Sequence, residues 1–358
     1  AEFLADLSGL TGTAKERFYH LAARVSAALE DGHSCLPLTD GEIALLVGNP
    51  LVSDGDQTPL VLHNRRLYLH RYFQYETRLA ERIRDMAVVS MDSLVDTAML
   101  DRYFDHPGPG PDWQREAAKV ALGKTLTIIC GGPGTGKTTT VAKILALLHE
   151  SSYGQRTLTM ALAAPTGKAA MRLREAIGTS IARLNMPEGT KDALPTSACT
   201  LHRLLGVRRG SPQFRHNRDN PLGWDVIVVD EASMVDLAMM SKLVDAVKPG
   251  ARLILLGDKD QLASVESGAV LGDCIRGLPE NTVELRETYR FDTDIQQLAT
   301  AINGADSSTA WHLLTSANPG GGILPAEGLV GYIGAAYAKY MALVQKNPES
   351  HEIHHIFA

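Results

Sequence analysis

The chain has 358 residues, of which 44% are hydrophobic and 21% charged, with a formal net charge of −6. That length suits two or three domains, and the composition is that of an ordinary globular protein rather than a disordered or fibrous one. The acidic balance announces no polyanion binder, so any nucleic-acid partner must meet a local basic surface. The four cysteines, Cys35, Cys130, Cys199 and Cys274, include no CxxC pair, which argues for a reducing compartment and against a disulfide framework or zinc ribbon. No apolar run approaches a membrane span and residues 1–30 lack a signal-peptide pattern, so no membrane contact and a cytosolic (cytoplasmic) location are expected.

Residues 1–105 read as a small, mainly α unit. Phe18–Leu29 carries apolar residues at helical spacing and stops at Asp31-Gly32. Asp40 is placed to cap a short helix running to Val47. Leu60-Val61-Leu62 and Leu67-Tyr68-Leu69 flank His63–Arg66 as a β-hairpin. A helix over Tyr72–Ile83 would hold Tyr72, Tyr75, Leu79 and Ile83 on one side. Nothing in this unit looks catalytic; it reads as a packing domain or as a docking module for another subunit.

His106–Pro111 alternates proline and glycine and reads as a linker. Asp112 then caps a helix that opens with Trp113 and Gln114. The apolar run Thr125–Ile129 leads into Gly131-Gly132-Pro133-Gly134-Thr135-Gly136-Lys137-Thr138, and the run Thr138–His149 is helical. Strand, glycine loop and helix in that order form a P-loop, whose backbone N–H groups and helix N-terminus cradle phosphate. Further apolar runs, Thr157–Ala163, Val226–Val229 and Leu253–Leu256, alternate with helical runs that include Met234–Val247. The pattern predicts an α/β fold with a parallel sheet covered on both faces, its ligands at the carboxyl ends of the strands. After Arg290, Ile295–Ile302 and Tyr332–Val344 look helical around the glycine-rich Asn318–Gly322. The expected divisions are 1–105, 106–290 and 291–358.

The chemistry clusters after the strands. Lys137 can reach the outer phosphates of a nucleotide and the Thr138 hydroxyl can ligate Mg²⁺. Gly132, Gly134, Thr135, Gly136 and Thr139 complete the expected ATP cradle. Asp230 ends a buried strand as a second Mg²⁺ candidate, and the adjacent Glu231 is placed to polarise an attacking water. Gln261, whose amide both donates and accepts, can sense the γ-phosphate, although taken alone its stretch reads as no more than a turn rich in polar residues. Arg290 can stabilise transition-state charge, and Gln114 is either an adenine contact or a solvated helix residue. Between His202 and Arg218 lie Arg203, Arg208, Arg209, Arg215 and Arg218 and no acid, either a path for DNA phosphates or a solvated run. His351-Glu352-Ile353-His354-His355 matches HExxH, but an edge strand or tail is preferred to a zinc site there.

Taken together these residues resemble the superfamily-one helicases. Ala164–Ala170 is similar to their motif Ia, Gly257–Gln261 to motif III and Leu285–Arg290 to motif IV. The wording of the P-loop, of Asp230–Met234 and of Leu262–Val270 is most similar to the RecD family, the α subunits of exodeoxyribonuclease V (RecBCD). Gly32–Leu38 and Arg66–Leu69 carry the likeness into the first unit. The resemblance implies a RecA-like ATPase lobe within an ATP-dependent 5′→3′ DNA helicase. It implies single-stranded DNA as substrate and RecB- and RecC-like subunits as partners. Tyr289 would stack on adenine, and Pro165, Thr166, Lys168, His202 and Arg203 would lie along the DNA. The nuclease would belong to another subunit. Motifs V and VI are not found, so 291–358 is expected to be the incomplete start of a second lobe. An ATP-binding scaffold without translocation and a P-loop kinase are the alternatives; Glu231 and Gln261 favour attack by water over the kinase.

Overall fold

The computed structural model describes residues 1–55, 57–91, 97–104, 111–152, 157–258, 261, 268, 270–286, 293–316, 337, 338 and 342. Two compact units are present, Ala1–Glu287 and Thr288–Ala358.

The first unit opens with α1 (Glu2–Leu7), α2 (Gly12–Glu30), β1 (Leu36–Pro37), α3 (Asp40–Leu46), β2 (Val52–Ser53), β3 (Leu60–His63) and β4 (Arg66–Leu69). In α2 the buried positions Phe18, Leu21, Ala22, Val25 and Ala28 recur at helical spacing and fill one face. The cap of α3 is Thr39 rather than the expected Asp40. Thr39 and Glu42 form a reciprocal capping box, with the Glu42 carboxylate accepting from the Thr39 amide at 2.8 Å. The expected hairpin forms from β3 and β4. Its two turn residues, Asn64 and Arg65, both have positive φ, 49° and 63°, as a turn that follows the strands' twist demands. The strands make a four-stranded sheet in the order β1-β4-β3-β2. Phe18, Val25, Leu46, Leu60 and Leu67 form its core with α2.

Helix α4 (His70–Val88) leaves that core. Leu79, Ile83, Met86 and Ala87 join the core of the larger sheet, with Tyr72 and Tyr75 packed at its margin. The Thr125 hydroxyl fastens the helix end by donating to the Met86 carbonyl at 2.6 Å. The helix is therefore shared by the two layers rather than confined to the N-terminal one.

The larger sheet follows α5 (Thr97–Tyr103) and α6 (Trp113–Gly123). Asp112 caps α6 as expected, accepting from the Arg115 amide at 3.0 Å. Then come β5 (Leu126–Cys130), α7 (Lys137–Ser151), β6 (Met160–Ala164), α8 (Gly167–Arg183), α9 (Glu188–Ala193), β7 (Ala198–Thr200) and α10 (Leu201–Leu205). The series ends with β8 (Val226–Val229), α11 (Leu237–Ala246), β9 (Arg252–Gly257), α12 (Val270–Gly277) and β10 (Thr282–Glu284). Asp236 caps α11, so the helix expected from Met234 starts later, after a short 3₁₀ turn over Ala232–Met234. All neighbouring strand pairs are parallel, in the order β10-β5-β9-β8-β6-β7. Alternate strand residues serve the two faces. Ile129, Leu162, Val228 and Ile254 pack under α6, α7 and α8. Ile128, Ala163, Ile227 and Leu255 pack under α4, α11 and α12. Both faces are dry, which is why the strands read as unbroken apolar runs. Each fully buried Leu or Ile contributes about 1.5–3 kcal/mol. The short edge strands β7 and β10 were not legible as apolar runs.

The second unit contains α13 (Thr293–Asn303) and α14 (Ser307–Ser316), packed on each other. Asp306 caps α14 by accepting from the Thr309 amide at 3.0 Å. The expected helix Ile295–Ile302 lies within α13; the one over Tyr332–Val344 falls mostly outside the described residues, as does the HExxH stretch.

Candidate nucleotide and nucleic-acid site

The P-loop leaves β5 and enters α7. Gly134 and Gly136 take φ of 81° and 82°, left-handed values that a side chain would strain. Gly131 is needed for a different reason. A Cβ there would stand 2.8 Å from both the Leu285 carbonyl oxygen and Thr135 Oγ1. The loop is anchored on both sides. The Gly131 amide donates to Gly257 O at 3.2 Å, and the Leu285 amide donates to Cys130 O at 2.8 Å. Inside the loop, Thr135 Oγ1 donates to Gly132 O at 2.9 Å. Lys137 Nζ donates to the carbonyls of Gly131 and Gly132, the latter at 2.9 Å.

Strand order brings the carboxylates to this lysine. β9 lies between β5 and β8, so Asp258, just past β9, stands between the P-loop and the Asp230-Glu231 pair that follows β8. Burial pushes the Lys137 ammonium below its ordinary pKa, while Asp258, then Asp230 and Glu231, pull it back up. Burial raises the Asp230 carboxyl. The Glu231 amide, donating at 2.9 Å, opposes that, the Glu231 charge adds to it and Lys137 relieves it. Glu231 sits at φ 52°, a left-handed backbone uncommon for a non-glycine residue and of a kind that gathers at functional sites. Asp258, 5% exposed, is a site residue that sequence reasoning did not single out. Its signal was present, since an acid at the end of an apolar strand is what identified Asp230.

Among the described residues no group of three His, Cys, Asp or Glu side chains could cage a metal. The half-buried Asp230, within electrostatic reach of Lys137, and the half-buried Thr138 next in the chain to that lysine are oxygen donors of the kind Mg²⁺ takes, since it uses few protein ligands and keeps substrate phosphates and waters.

The other expected residues fall as follows. Gln114 is half-buried, and its Nε2 donates to Thr135 O of the loop at 3.5 Å. Thr138 is half-buried; Thr139 is exposed, with Oγ1 3.4 Å from Ser180 Oγ of α8. Gln261 is exposed, and Tyr289 and Arg290 lie outside the described residues.

The nucleic-acid candidates converge through the sheet. β6 and β7 are neighbours with Ala164 opposite Thr200, so Pro165, Thr166 and the first turn of α8 emerge beside the start of α10. Thr166 and Thr200 cap the two helices, each accepting an amide at 3.2 Å. Lys168, His202 and Arg203 are exposed beside them, with Pro165 partly so.

An AAA domain family model matches residues 114–267. The RecBCD enzyme subunit RecD of Mycolicibacterium smegmatis is 46% identical over 78% of this chain and 50% of that protein. The RecD subunit of Mycobacterium tuberculosis is 43% identical over 82% of this chain and 51% of its own length. The ATP-dependent RecD2 DNA helicase of Deinococcus radiodurans is 37% identical over 63% and 28%. The chain thus spans about half the length of the RecD relatives it matches. With a P-loop NTPase sheet and those likenesses together, the chain belongs to the RecD family.

Proposed function

We propose that the protein is the ATP-dependent motor part of a 5′→3′ DNA helicase subunit in a RecBCD-type exodeoxyribonuclease V, acting in double-strand break repair and recombination. The observation that carries this reading is the meeting of Lys137 with Asp230, Glu231 and Asp258 at the carboxyl ends of three adjoining strands, with the basic Lys168, His202 and Arg203 following the next two strands of the same sheet.

The glycine amides and Lys137 bind the ATP phosphates, and Gln114 and Tyr289 hold the adenine. Thr138 and Asp230 are the residues for Mg²⁺, which when bound neutralises phosphate charge. Glu231, held in a left-handed backbone just past β8, accepts a proton from the attacking water. Gln261 and Arg290 report the state of the γ-phosphate. Lys168 and Arg203 contact the phosphates of single-stranded DNA, whose path passes over Pro165, Thr166 and His202. Residues 106–290 serve as the ATPase lobe and 291–358 begin the second. Residues 1–105 dock RecB- or RecC-like subunits in the cytoplasm.

ATP hydrolysis measured with and without oligo-dT tests the reading. Stimulation of roughly tenfold or more is expected of a DNA-dependent motor. Nucleotide binding with no response of turnover to DNA would leave the scaffold reading in its place.

A further inference from the structure

Helix α4 carries two stripes. Leu79, Ile83 and Met86 face the sheet. Arg71, Tyr75 and Arg78 follow one another at steps of four and three, so they line the adjoining face. Arg71 and Arg78 are exposed and Tyr75 is half-buried.

Lys242 of α11 bridges this stripe to the motor. Its Nζ lies 5.5 Å from the Tyr75 ring centroid and 5.4 Å from that of Phe214. The Phe214 ring in turn meets His202 edge-on, with centroids 5.7 Å apart and planes at 73°. His202 and Phe214 thus meet ring to ring, Lys242 joins Phe214 to Tyr75, and Arg71 and Arg78 flank Tyr75 along α4, with the Arg71 guanidinium 5.5 Å from the Tyr72 ring centroid. Asp245, one turn past Lys242, is an acid near the strip, and Arg78, Arg82 and Arg218 all act on it. Positive charge is concentrated here in a chain whose net charge is −6.

We propose that this strip continues the single-strand path from His202 onto α4, with phosphates on Arg71 and Arg78 and bases against Tyr75 and Phe214. The inference rests on the DNA reading above. Interleaved rings and cations are what a sequence-tolerant single-strand groove needs. A protein-docking face would instead be expected to centre on an apolar patch with its charges at the rim. Arg71 to Arg78 spans about 10 Å of helix, roughly two to three nucleotides.

The test is fluorescence anisotropy of the full chain with oligo-dT of increasing length, repeated over a salt series. The double variant Arg71→Gln/Arg78→Gln should weaken binding of long oligo-dT by about five- to twentyfold at low salt and make the log–log salt slope shallower by about 1.4. Its DNA-independent ATPase should be unchanged. Tyr75→Ser should lose affinity that Tyr75→Phe keeps; if Tyr75→Ser does not fold, the arginine pair decides. Lys168→Gln probes the underlying path. If it weakens binding while the arginine pair changes neither affinity nor slope, the strip is refuted and the DNA reading stands. If neither variant affects binding, the DNA reading falls as well. Loss of a protein partner by the arginine variant, with oligo-dT affinity intact, also refutes the strip.

Discussion

Gly131→Ala is the sharpest test of the P-loop geometry, because its neighbour supplies the control. The new methyl would sit 2.8 Å from the Leu285 carbonyl and from Thr135 Oγ1, and 3.2 Å from Leu285 Cβ. The obstacle at Leu285 is backbone that follows an edge strand, and Thr135 is held by its bond to Gly132 O. Neither yields as a flexible side-chain end would. Relief requires the loop to move away from β10, at a cost of about 1–3 kcal/mol for overpacking of this kind. For a unit of this size that is a fall in Tm of about 2–10 °C. The shift also spreads the amides that face phosphate, so ATP affinity should drop by roughly tenfold or more. Gly132 has nothing within 4 Å of an added Cβ and no positive φ. Gly132→Ala should therefore keep the wild-type Tm. Thermal unfolding of both variants, with titration of a fluorescent ATP analogue into Gly131→Ala, reads all of this. A Gly131→Ala protein that melts and binds like wild type would show that the loop is not wedged against Leu285.

Glu231→Gln should retain ATP binding within about threefold while turnover falls by roughly a hundredfold or more, because the amide cannot take the proton; undiminished turnover would move the base elsewhere. Asp225 is buried at the foot of the sheet, where burial is outweighed by Lys248 Nζ at 2.8 Å and the Thr159 amide at 2.9 Å, so its carboxyl drops from 3.8 to about 2. A depressed folded-state pKa stabilises above the unfolded value and loses that stability as pH falls, so the contribution, on the order of 2 kcal/mol, is full above about pH 4 and gone near pH 2. Denaturant melts should show Asp225→Asn less stable at pH 7, with a smaller loss between pH 5 and pH 3 than wild type; identical acid profiles would remove Asp225 as a source of acid sensitivity. Arg65→Gly frees the hairpin position at φ 63° from left-handed strain and should raise stability by about 0.5–1 kcal/mol, seen as a higher melting midpoint.

Much of the site could be read from local pattern. A P-loop is contiguous, and its glycines, Lys137 and Thr138 are recognisable because one turn of backbone contains the whole device. Asp230 and Glu231 were legible for the same reason, as acids closing an apolar strand. The edge strands β7 and β10 were not, since three residues at a sheet margin carry no periodic signal. The existence of α4 was foreshadowed by apolar spacing over Tyr72–Ile83, but neither its full run, His70–Val88, nor the layer it serves was.

What the sequence by itself determined is the set of elements and the parts they carry: buried strands written as β-branched and leucine runs, helices as repeating apolar faces, a phosphate loop as glycines before lysine. Those follow from short-range sterics and hydration, which each segment settles alone. Only the tertiary structure decided that β9 inserts between β5 and β8, which sets Asp258 beside Lys137. It also decided that β6 and β7 lie together, bringing Lys168 next to His202, that Glu231 is forced into a left-handed backbone, and that Lys242 joins α4 to the basic edge. These depend on the packing of strands and helices distant in the chain, and no local pattern encodes which strand becomes whose neighbour.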